Sequence, residues 1–429
     1  MLDIQLIRRD PALVQERLAR KGCHEDLSAF LAMDGERRSL IGDVEQMKAK
    51  RNRVSAEIPK LRKRGEDVTA VLVDMKELAE RIKDGDQKLQ DLEERCQRFL
   101  AALPNLPDDD LLPGGKENNQ VLRVEGEKPV FAFTPAHHVD IAERLGLIDY
   151  VRGAKLAGSG YWIYKGLGAQ LEWAILNYFM AEHLRDGYEM ILPPHILNER
   201  CAFTAGQLPK FRDDLYWLER DSEAKEPSFL APTAETALAN LYRDEIVDET
   251  ELPKKYFAYT PCYRKEAGSY RAEERGMIRG HQFNKIEMFQ YTLPEQSDAA
   301  FEELVEKACR LVRGLGLHFR LSKLAAGDCS ASMARTYDIE VWIPSMNDYK
   351  EVSSASNARD YQARRGNMRL RRADRSLDYM HTLNASGLAT SRIFPAILEQ
   401  FQEADGSVRI PEVLRAAMGG RTRLEVPEN

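Results

Sequence analysis

Apolar residues recur every three or four positions along two stretches near the N-terminus. The first stretch covers residues 40–61 and the second covers residues 71–103. This spacing keeps the apolar side chains on one face of an α-helix. Residues 64–67 separate the two long helices that this pattern predicts, and so few residues leave room only for a tight reversal. The pattern therefore predicts an antiparallel helical hairpin with arms of about 35 residues, each roughly 50 Å long.

Basic residues cluster towards the tip of this predicted hairpin. Residues 48–64 contain eight lysines and arginines and a single acid, Glu57, although the whole chain carries a formal net charge of −7. Such a hairpin can dimerise as a coiled coil with solvated charges, or it can lay its cations along the phosphates of a nucleic acid. Periodicity and charge alone leave both interpretations open.

Proline, glycine and aspartate crowd residues 104–115, a composition that suits neither helix nor strand. We therefore predict two domains, residues 1–110 and residues 111–429. With 43% hydrophobic and 31% charged residues, the chain can bury a large core and stay soluble. No stretch approaches the roughly 18–20 apolar residues that cross a membrane, and the N-terminus lacks a signal-peptide core. We expect no membrane partner and a cytoplasmic location.

Two strand-like segments face each other across a charged loop in the middle of the chain. We predict strands over residues 255–266 and 279–289. If these strands pair, side-chain alternation brings two arginines, two carboxylates and an aromatic ring to one surface. These residues are Arg264, Glu266, Arg279, Phe283 and Glu287.

This combination of side chains suits a nucleotide site. An arginine fork binds a phosphate or carboxylate, an aromatic face stacks on a base, and a carboxylate binds an ammonium or hydroxyl group. The same charges can instead form cross-strand ion pairs on a solvated face, each contributing about 0.2–1 kcal/mol.

Four further residues are candidates for ligand contacts. Thr233 precedes a helix-like segment, so its hydroxyl is typical of a helix cap as well as of a ligand contact. Strand alternation places Glu351 and Ser353 on one face, where oxygen ligands suit a hard cation. Arg392 falls in the first turn of a predicted helix, where the helix dipole disfavours a cation by about 0.3–1 kcal/mol. An anionic ligand explains an arginine at that position.

Several separated stretches resemble the class II aminoacyl-tRNA synthetases, and the seryl-tRNA synthetase family in particular. Residues 263–289 resemble motif 2, residues 187–199 (GYEMILPPHILNE) resemble motif 1, and residues 381–392 (HTLNASGLATSR) resemble motif 3. The remaining matches are residues 231–236 (APTAET), 350–365 (KEVSSASNARDYQARR) and 405–420 (DGSVRIPEVLRAAMGG).

The resemblance implies an α+β fold, in which an N-terminal helical hairpin precedes a catalytic domain whose mainly antiparallel sheet is flanked by helices. It also implies a homodimer that activates L-serine with ATP and Mg²⁺ to seryl-adenylate and then esterifies tRNA(Ser). Whether tRNA(Sec) is a second acceptor stays open. The family uses its N-terminal arm to grip tRNA, which favours the nucleic-acid interpretation of the basic hairpin.

The resemblance further implies a role for each site residue. The expected catalytic residues are Arg264 and Arg392. Serine would be bound by Thr233, Ala234, Glu235, Arg264, Glu287, Asn384 and Ser386. ATP would be bound by Arg264, Lys265, Glu266, Arg279, Phe283, Glu351, Val352, Ser353, Ser354 and Arg392. Mg²⁺ would be held by Glu351 and Ser354. The tRNA contacts on the arm would be Lys48, Arg51, Arg53, Lys60, Arg62, Lys63 and Arg64, and the loop 267–276 would meet the acceptor end.

Overall fold

The computed structural model describes residues 1–219, 226–266 and 276–426. Its contacts divide the chain into two compact units. We call the first the arm unit, made of Leu2–Ala19 and Cys23–Leu103, and the second the core unit, made mainly of the residues from Pro104 onward. The division falls at the start of the proline-rich segment, while the domain limits 1–110 and 111–429 remain predictions.

The arm unit is helical. Its helices are α1 (Ile4–Arg9), α2 (Pro11–Arg20), α3 (Leu27–Lys63) and α4 (Thr69–Ala102). With 37 and 34 residues, α3 and α4 pack against each other as a long hairpin. The predicted helical hairpin is thereby confirmed, including the short reversal between its two arms.

The interior of the hairpin follows the predicted apolar rhythm. Val44 of α3 and Ile82 and Leu92 of α4 are buried. Near the base of the hairpin, the rings of Phe30 and Phe99 stack with their centroids 5.5 Å apart. The hairpin is therefore held by its own apolar seam, as the 3 and 4 spacing requires.

An eight-stranded sheet forms the centre of the core unit. Neighbouring strands in this sheet are antiparallel except at one edge, where the last strand runs parallel to the strand beside it. In spatial order the strands are β1 (Gln120–Glu125), β10 (Phe319–Lys323), β11 (Arg335–Ile343), β12 (Asp348–Arg359), β15 (His381–Ala389), β9 (Gln282–Thr292), β8 (Lys254–Tyr263) and β4 (Glu189–Ile191). The predicted mainly antiparallel sheet is confirmed.

Smaller sheets and helices surround this central sheet. The small sheets contain β2 (Ile148–Asp149), β3 (Ile163–Tyr164), β5 (Ile196–Asn198), β6 (Ser228–Leu230), β7 (Ile246–Asp248), β13 (Arg369–Arg371), β14 (Leu377–Tyr379), β16 (Val408–Arg409) and β17 (Arg423–Leu424). The helices are α5 (His138–Arg144), α6 (Tyr150–Ala157), α7 (Leu167–Arg185), α8 (Glu199–Ala205), α9 (Glu235–Leu238), α10 (Ser297–Gly314), α11 (Tyr361–Arg365), α12 (Thr390–Gln400) and α13 (Glu412–Arg415).

The main hydrophobic core joins the central sheet to three of these helices. Phe179 of α7, Phe301 of α10 and Phe394 of α12 belong to one buried cluster with Phe319 and Ile339 of the sheet. This packing fixes α12, and with it Arg392, against the strands that carry the other candidate residues. Within the described ranges, no helix has the length and apolar character needed to cross a bilayer.

Candidate functional site

Two adjoining cavities lie among β8, β9, β12, β15 and the start of α12. The larger has a volume of about 470 Å³ and the smaller about 90 Å³. They share a rim of mostly charged side chains, so they form one continuous site with two compartments. The shared residues are Arg264, Glu266, Arg279, Lys285, Glu351 and Ser386.

Glu287 is the buried acid at the floor of the larger cavity. Its side chain is only 1% exposed. Nδ2 of Asn384 donates to it at 3.1 Å, and the hydroxyl of Thr233 donates at 3.3 Å. Asn384 reaches this position because β15 pairs with β9, with Ser386 opposite Glu287. The predicted grouping of these residues is therefore observed in the structure.

A second acid, Glu235, is half-buried and lines the same cavity as Glu287. Burial, followed by the negative charge of Glu287, raises the pKa of Glu235 to about 7. Lys285 and a hydrogen bond from Gln362 oppose this increase. Two carboxylates in so small a space attract a cation with hydrogen-bond donors, as a substrate ammonium group would be.

Thr233 contacts both acids, so its role is more than that of the predicted helix cap. Its hydroxyl accepts the backbone N–H of Glu235 at 3.2 Å, while Ala234 occupies the N-cap position of α9. The helix that follows Thr233 is short, since α9 covers only Glu235–Leu238.

The second compartment combines arginines with an aromatic ring. The guanidinium carbon of Arg264 lies 5.2 Å from the ring centroid of Phe283. Nη1 of Arg279 lies 2.6 Å from a carboxylate oxygen of Glu266. All four residues line the smaller cavity, as expected of a surface that binds a base and phosphates.

Strand alternation does not explain this arrangement, and that part of the prediction is wrong. β8 ends at Tyr263, before Arg264, and Glu266 has a positive φ of 50°. β9 begins at Gln282, after Arg279. Just before β9, Gly280 packs closely against Trp162, whose nearest ring atom lies 2.2 Å from where a Cβ would be.

Arg392 lies in the first turn of α12, as predicted. Its Nη1 donates to the backbone carbonyl of Glu351 at 2.6 Å and lies 3.5 Å from a carboxylate oxygen of the same residue. Burial would raise the pKa of Glu351, but the positive charge of Arg392 holds it below its usual range. The guanidinium of Arg392 thus lies beside an acid, and both residues line the smaller cavity.

The predicted alignment of Glu351 with Ser353 is also wrong, because a β-bulge interrupts β12. Ile339 pairs with Ser353 but Glu340 pairs with Glu351, so Val352 is an extra residue. The bulge shifts the alternation and brings Ser354 to the cavity side with Glu351. Ser353 is buried and donates to the carbonyl of Ser386 at 2.7 Å.

Glu351 and Ser354 have the donor chemistry of a Mg²⁺ site. The hydroxyl of Ser354 donates to Asp338 at 2.6 Å, and both burial and the charge of Glu351 raise the pKa of Asp338 well above its usual value. Oxygen donors with excess negative charge are what a hard divalent cation favours. The residues present therefore fit the implied ion.

Three predicted residues do not line either cavity. Ala234 and Ser353 are buried, and Lys265 is exposed with its ammonium 5.7 Å from the ring centroid of Tyr216. The loop 267–276 is predicted to meet the tRNA acceptor end, and its residues 267–275 lie outside the part of the chain that the structure describes.

Three residues of the site were not among those predicted from the sequence. Lys285 shares the strand face of Phe283 and Glu287, so alternation along β9 was sufficient to find it. Gln362 contacts Glu235 from α11, and Asp338 contacts Ser354 from β11. Their partners are distant in sequence, and no local pattern singles them out.

The basic residues of the arm are mostly exposed. Arg53, Lys60 and Arg62 are exposed on α3, whereas Lys48 pairs with Asp86 of α4 at 2.7 Å. The remaining predicted contacts on the arm are Arg51, which is partly buried, and Lys63 and Arg64, which are exposed. The exposed cations are available to bind the phosphates of a nucleic acid. Lys48 differs from them because it already has an acidic partner within the hairpin.

Two family models match the chain. One is described as the seryl-tRNA synthetase N-terminal domain and matches residues 1–107. The other is described as the tRNA synthetase class II core domain (G, H, P, S and T) and matches residues 216–401. Serine--tRNA ligase 2 of Clostridium acetobutylicum is 61% identical over 421 residues, which is 98% of this chain and 99% of that protein.

Solved structures give the same relationship. The crystal structure of seryl-tRNA synthetase from Pyrococcus horikoshii complexed with ATP has a TM-score of 0.92 at 33% identity and covers 100% of both chains. The cytoplasmic serine-tRNA ligase from Naegleria fowleri in complex with AMP has a TM-score of 0.86 at 27% identity, covering 100% of this chain and 99% of that one.

Proposed function

Because the chain belongs to the seryl-tRNA synthetase family, we propose that its two-compartment site activates L-serine with ATP and then transfers it to tRNA(Ser) in the cytoplasm. The observation that carries this proposal is the joining of a buried acidic pocket around Glu287 to a cavity lined by Arg264, Phe283 and Arg392. A small ammonium compound fits the first compartment, and a nucleotide fits the second.

In the acidic pocket, serine would be held by its ammonium and hydroxyl groups. Glu235, Glu287 and Thr233 offer acceptors for the ammonium, and Asn384 and Ser386 line the space beside them. A buried site whose polar groups await a hydroxyl rejects a substrate without one by about 10⁴–10⁵ where the hydrogen bonding is complete. We expect alanine to be rejected in this way and threonine to be rejected by its extra methyl group.

In the second compartment, the adenine would stack on Phe283, and Glu266 would contact the edge of the adenine. Arg279 pairs with Glu266 and orients it. Arg264 lines both compartments and would contact the serine carboxylate and the α-phosphate, while Arg392 lines the smaller cavity and would bind the departing pyrophosphate. Mg²⁺, held by Glu351 and Ser354, would supply charge neutralisation to the phosphates when bound.

Catalysis here depends on positioning and on charge stabilisation, without a protein nucleophile. The serine carboxylate oxygen forms a bond to the α-phosphorus while the bond to the bridging oxygen of pyrophosphate breaks. The two arginines stabilise the charge that develops on the phosphates. A ribose hydroxyl of tRNA then attacks the activated carbonyl and releases AMP.

The arm unit would bind the tRNA through its exposed cations. Contacts of this kind are mainly to phosphate and weaken as salt increases. The basic cluster of residues 48–64 on an otherwise acidic protein supports this role.

We also propose that the protein is a homodimer that pairs around its motif 1 element. Trp173 on α7 is 51% exposed, and Leu192 and Ile196, which flank the prolines after β4, are 72% and 55% exposed. Large apolar side chains exposed on a surface favour association with another chain. Sedimentation of wild type and of Leu192→Asp tests this, since a dimer through this face predicts dissociation of the variant.

Two assays in sequence test the proposed function. Serine-dependent exchange of pyrophosphate into ATP reports adenylate formation, and charging of tRNA(Ser) reports transfer. Both should be positive with serine and should fail with alanine and threonine. Exchange without charging would indicate an enzyme that loads another acceptor, and the absence of both would indicate a noncatalytic member of the fold.

A further inference from the structure

Lys285 is a buried cation inside the acidic pocket. Its side chain is 6% exposed and projects from β9 on the same face as Phe283 and Glu287. Its ammonium donates to the hydroxyl of Thr233 at 2.6 Å and pairs with the carboxylate of Glu287. These two partners are the groups that would hold the ammonium of serine.

The hydroxyl of Thr233 has no capacity left for another donor. It accepts from Lys285 and from the backbone N–H of Glu235, and it donates to Glu287. A hydroxyl offers one donor and two acceptor sites, so all three are in use. Two ammonium groups on the same acceptors would also repel each other strongly in a buried site.

Lys285 has an alternative position close by. It lines both compartments, as Arg264 does, and therefore lies where the two compartments meet. The lysine side chain is a flexible stem with a compact charge, so a rotamer change can carry its ammonium from one compartment to the other. At that junction the bound amino acid would present its carboxylate.

We propose that Lys285 occupies the ammonium position in the empty pocket, is displaced by the ammonium of the amino acid, and then pairs with the carboxylate of that amino acid. This inference rests on the proposed function and identifies a residue that selects the substrate class. Only a compound with both an ammonium and a carboxylate can displace Lys285 and also give it a new partner. An amine without a carboxylate leaves the displaced lysine without an anion.

Comparison of serine with ethanolamine, which has the ammonium and the hydroxyl but no carboxylate, tests the proposal. Wild type is assayed first for serine-dependent pyrophosphate exchange, and failure there would refute the proposed function and not the role of Lys285. The KM for serine and the inhibition constant of ethanolamine are then measured for wild type and Lys285→Met.

The variant should show opposite effects on the two compounds. The KM for serine should rise about tenfold or more, because a charged hydrogen-bond partner of the carboxylate is lost. The inhibition constant of ethanolamine should stay the same or fall, because no lysine has to be displaced. Equal weakening of both, or no change in either, would overturn the proposal, since a structural role predicts parallel effects.

Two further variants make the test robust. Lys285→Gln keeps a hydrogen-bond donor for Thr233 without the charge, and it should show the same divergence even if the methionine variant fails to fold. Lys255→Gln is the matched control, since Lys255 lies on the neighbouring strand and pairs with Glu303 at 2.8 Å. Both constants should be unchanged in this control.

Discussion

Nε2 of Gln362 donates a hydrogen bond to Oε1 of Glu235 at 2.9 Å. The same amide nitrogen donates to the backbone carbonyl of Ala205 at 3.0 Å. The amide oxygen of Gln362 accepts a hydrogen bond from the hydroxyl of Thr382 at 2.7 Å. Because both hydrogens of the amide nitrogen are used and its oxygen is also held, the amide cannot rotate. Gln362 therefore fixes one of the two acids that would receive the serine ammonium.

Gln362→Leu should weaken serine binding most at low pH. The hydrogen bond from Gln362 lowers the pKa of Glu235, which burial and Glu287 raise to about 7, so its loss raises that pKa further. Since only ionised Glu235 attracts the ammonium, KM for serine should rise as pH falls from about 9 to about 6, more steeply than in wild type. Thr382→Val should give a smaller shift in the same direction. A pH-independent ratio of the two KM values would contradict this role.

Glu172 should make the folded state less stable as pH rises. Its Oε1 accepts from Thr390 at 2.6 Å and from Asn284 at 2.8 Å, and burial raises its pKa from 4.5 to about 7. A raised carboxyl pKa contributes stability that is fully present below about pH 4.5 and is lost as pH passes about 7.

Chemical denaturation of wild type and Glu172→Gln checks this contribution. The stability of wild type relative to the variant should fall by on the order of 3 kcal/mol between about pH 5 and about pH 8. A constant difference between the two proteins across that range would show that Glu172 does not titrate as described.

Two glycines of the arm should respond oppositely to alanine. A Cβ on Gly85 would lie 2.7 Å from Cγ2 of Val44, whereas a Cβ on Gly42 meets nothing within 4 Å. Gly42→Ala should raise the free energy of unfolding by about 0.5–1 kcal/mol, because alanine is the better helix former. Gly85→Ala should not raise the free energy of unfolding, because overpacking against Val44 typically costs about 1–3 kcal/mol and offsets the better helix propensity of alanine. Equal stabilisation in denaturant titrations would mean that the seam is not packed as described.

Neutralising the tip of the arm should weaken tRNA binding without affecting serine activation. Changing Lys60, Arg62, Lys63 and Arg64 to serine removes four exposed cations. The slope of log affinity against log salt should become shallower by about 0.7–0.9 for every phosphate contact that is lost. Pyrophosphate exchange should stay at the wild-type rate.

The matched control neutralises four exposed cations of the core unit. These are Lys116, Arg371, Arg375 and Arg421. If this control weakened tRNA binding as much as the tip variant, overall charge would explain the effect and the arm would have no special role.

Periodicity predicted the helical hairpin because helix packing depends on a regular local pattern, and the seam at Val44 and Ile82 follows it. The strand limits around the site were predicted less well. The backbone turns at Glu266, which has a positive φ, and it bulges at Val352, and side-chain alternation predicts neither feature. Alternation therefore grouped Glu351 with Ser353 instead of Ser354.

In the candidate site too, residues with a local sequence signal were predicted, and residues defined only by contacts between distant parts of the chain were not. Arg392 was predicted from its place at a helix start, since an unfavourable dipole contact is a local signal. Gln362 was not predicted, because its contact with Glu235 joins residues 127 positions apart. Lys285 is different, since it lies on the predicted face of β9 and pattern alone was sufficient to identify it.

The most direct test of the account compares pyrophosphate exchange by wild type and Arg392→Ala, with tRNA(Ser) binding measured on the same preparations. Arg200→Ala serves as the control, because Arg200 is an exposed arginine paired with Asp244 at 2.8 Å. Wild type and control should exchange pyrophosphate only when serine is present. Arg392→Ala should lose exchange and keep its tRNA affinity, whereas normal exchange by that variant would contradict the proposed site.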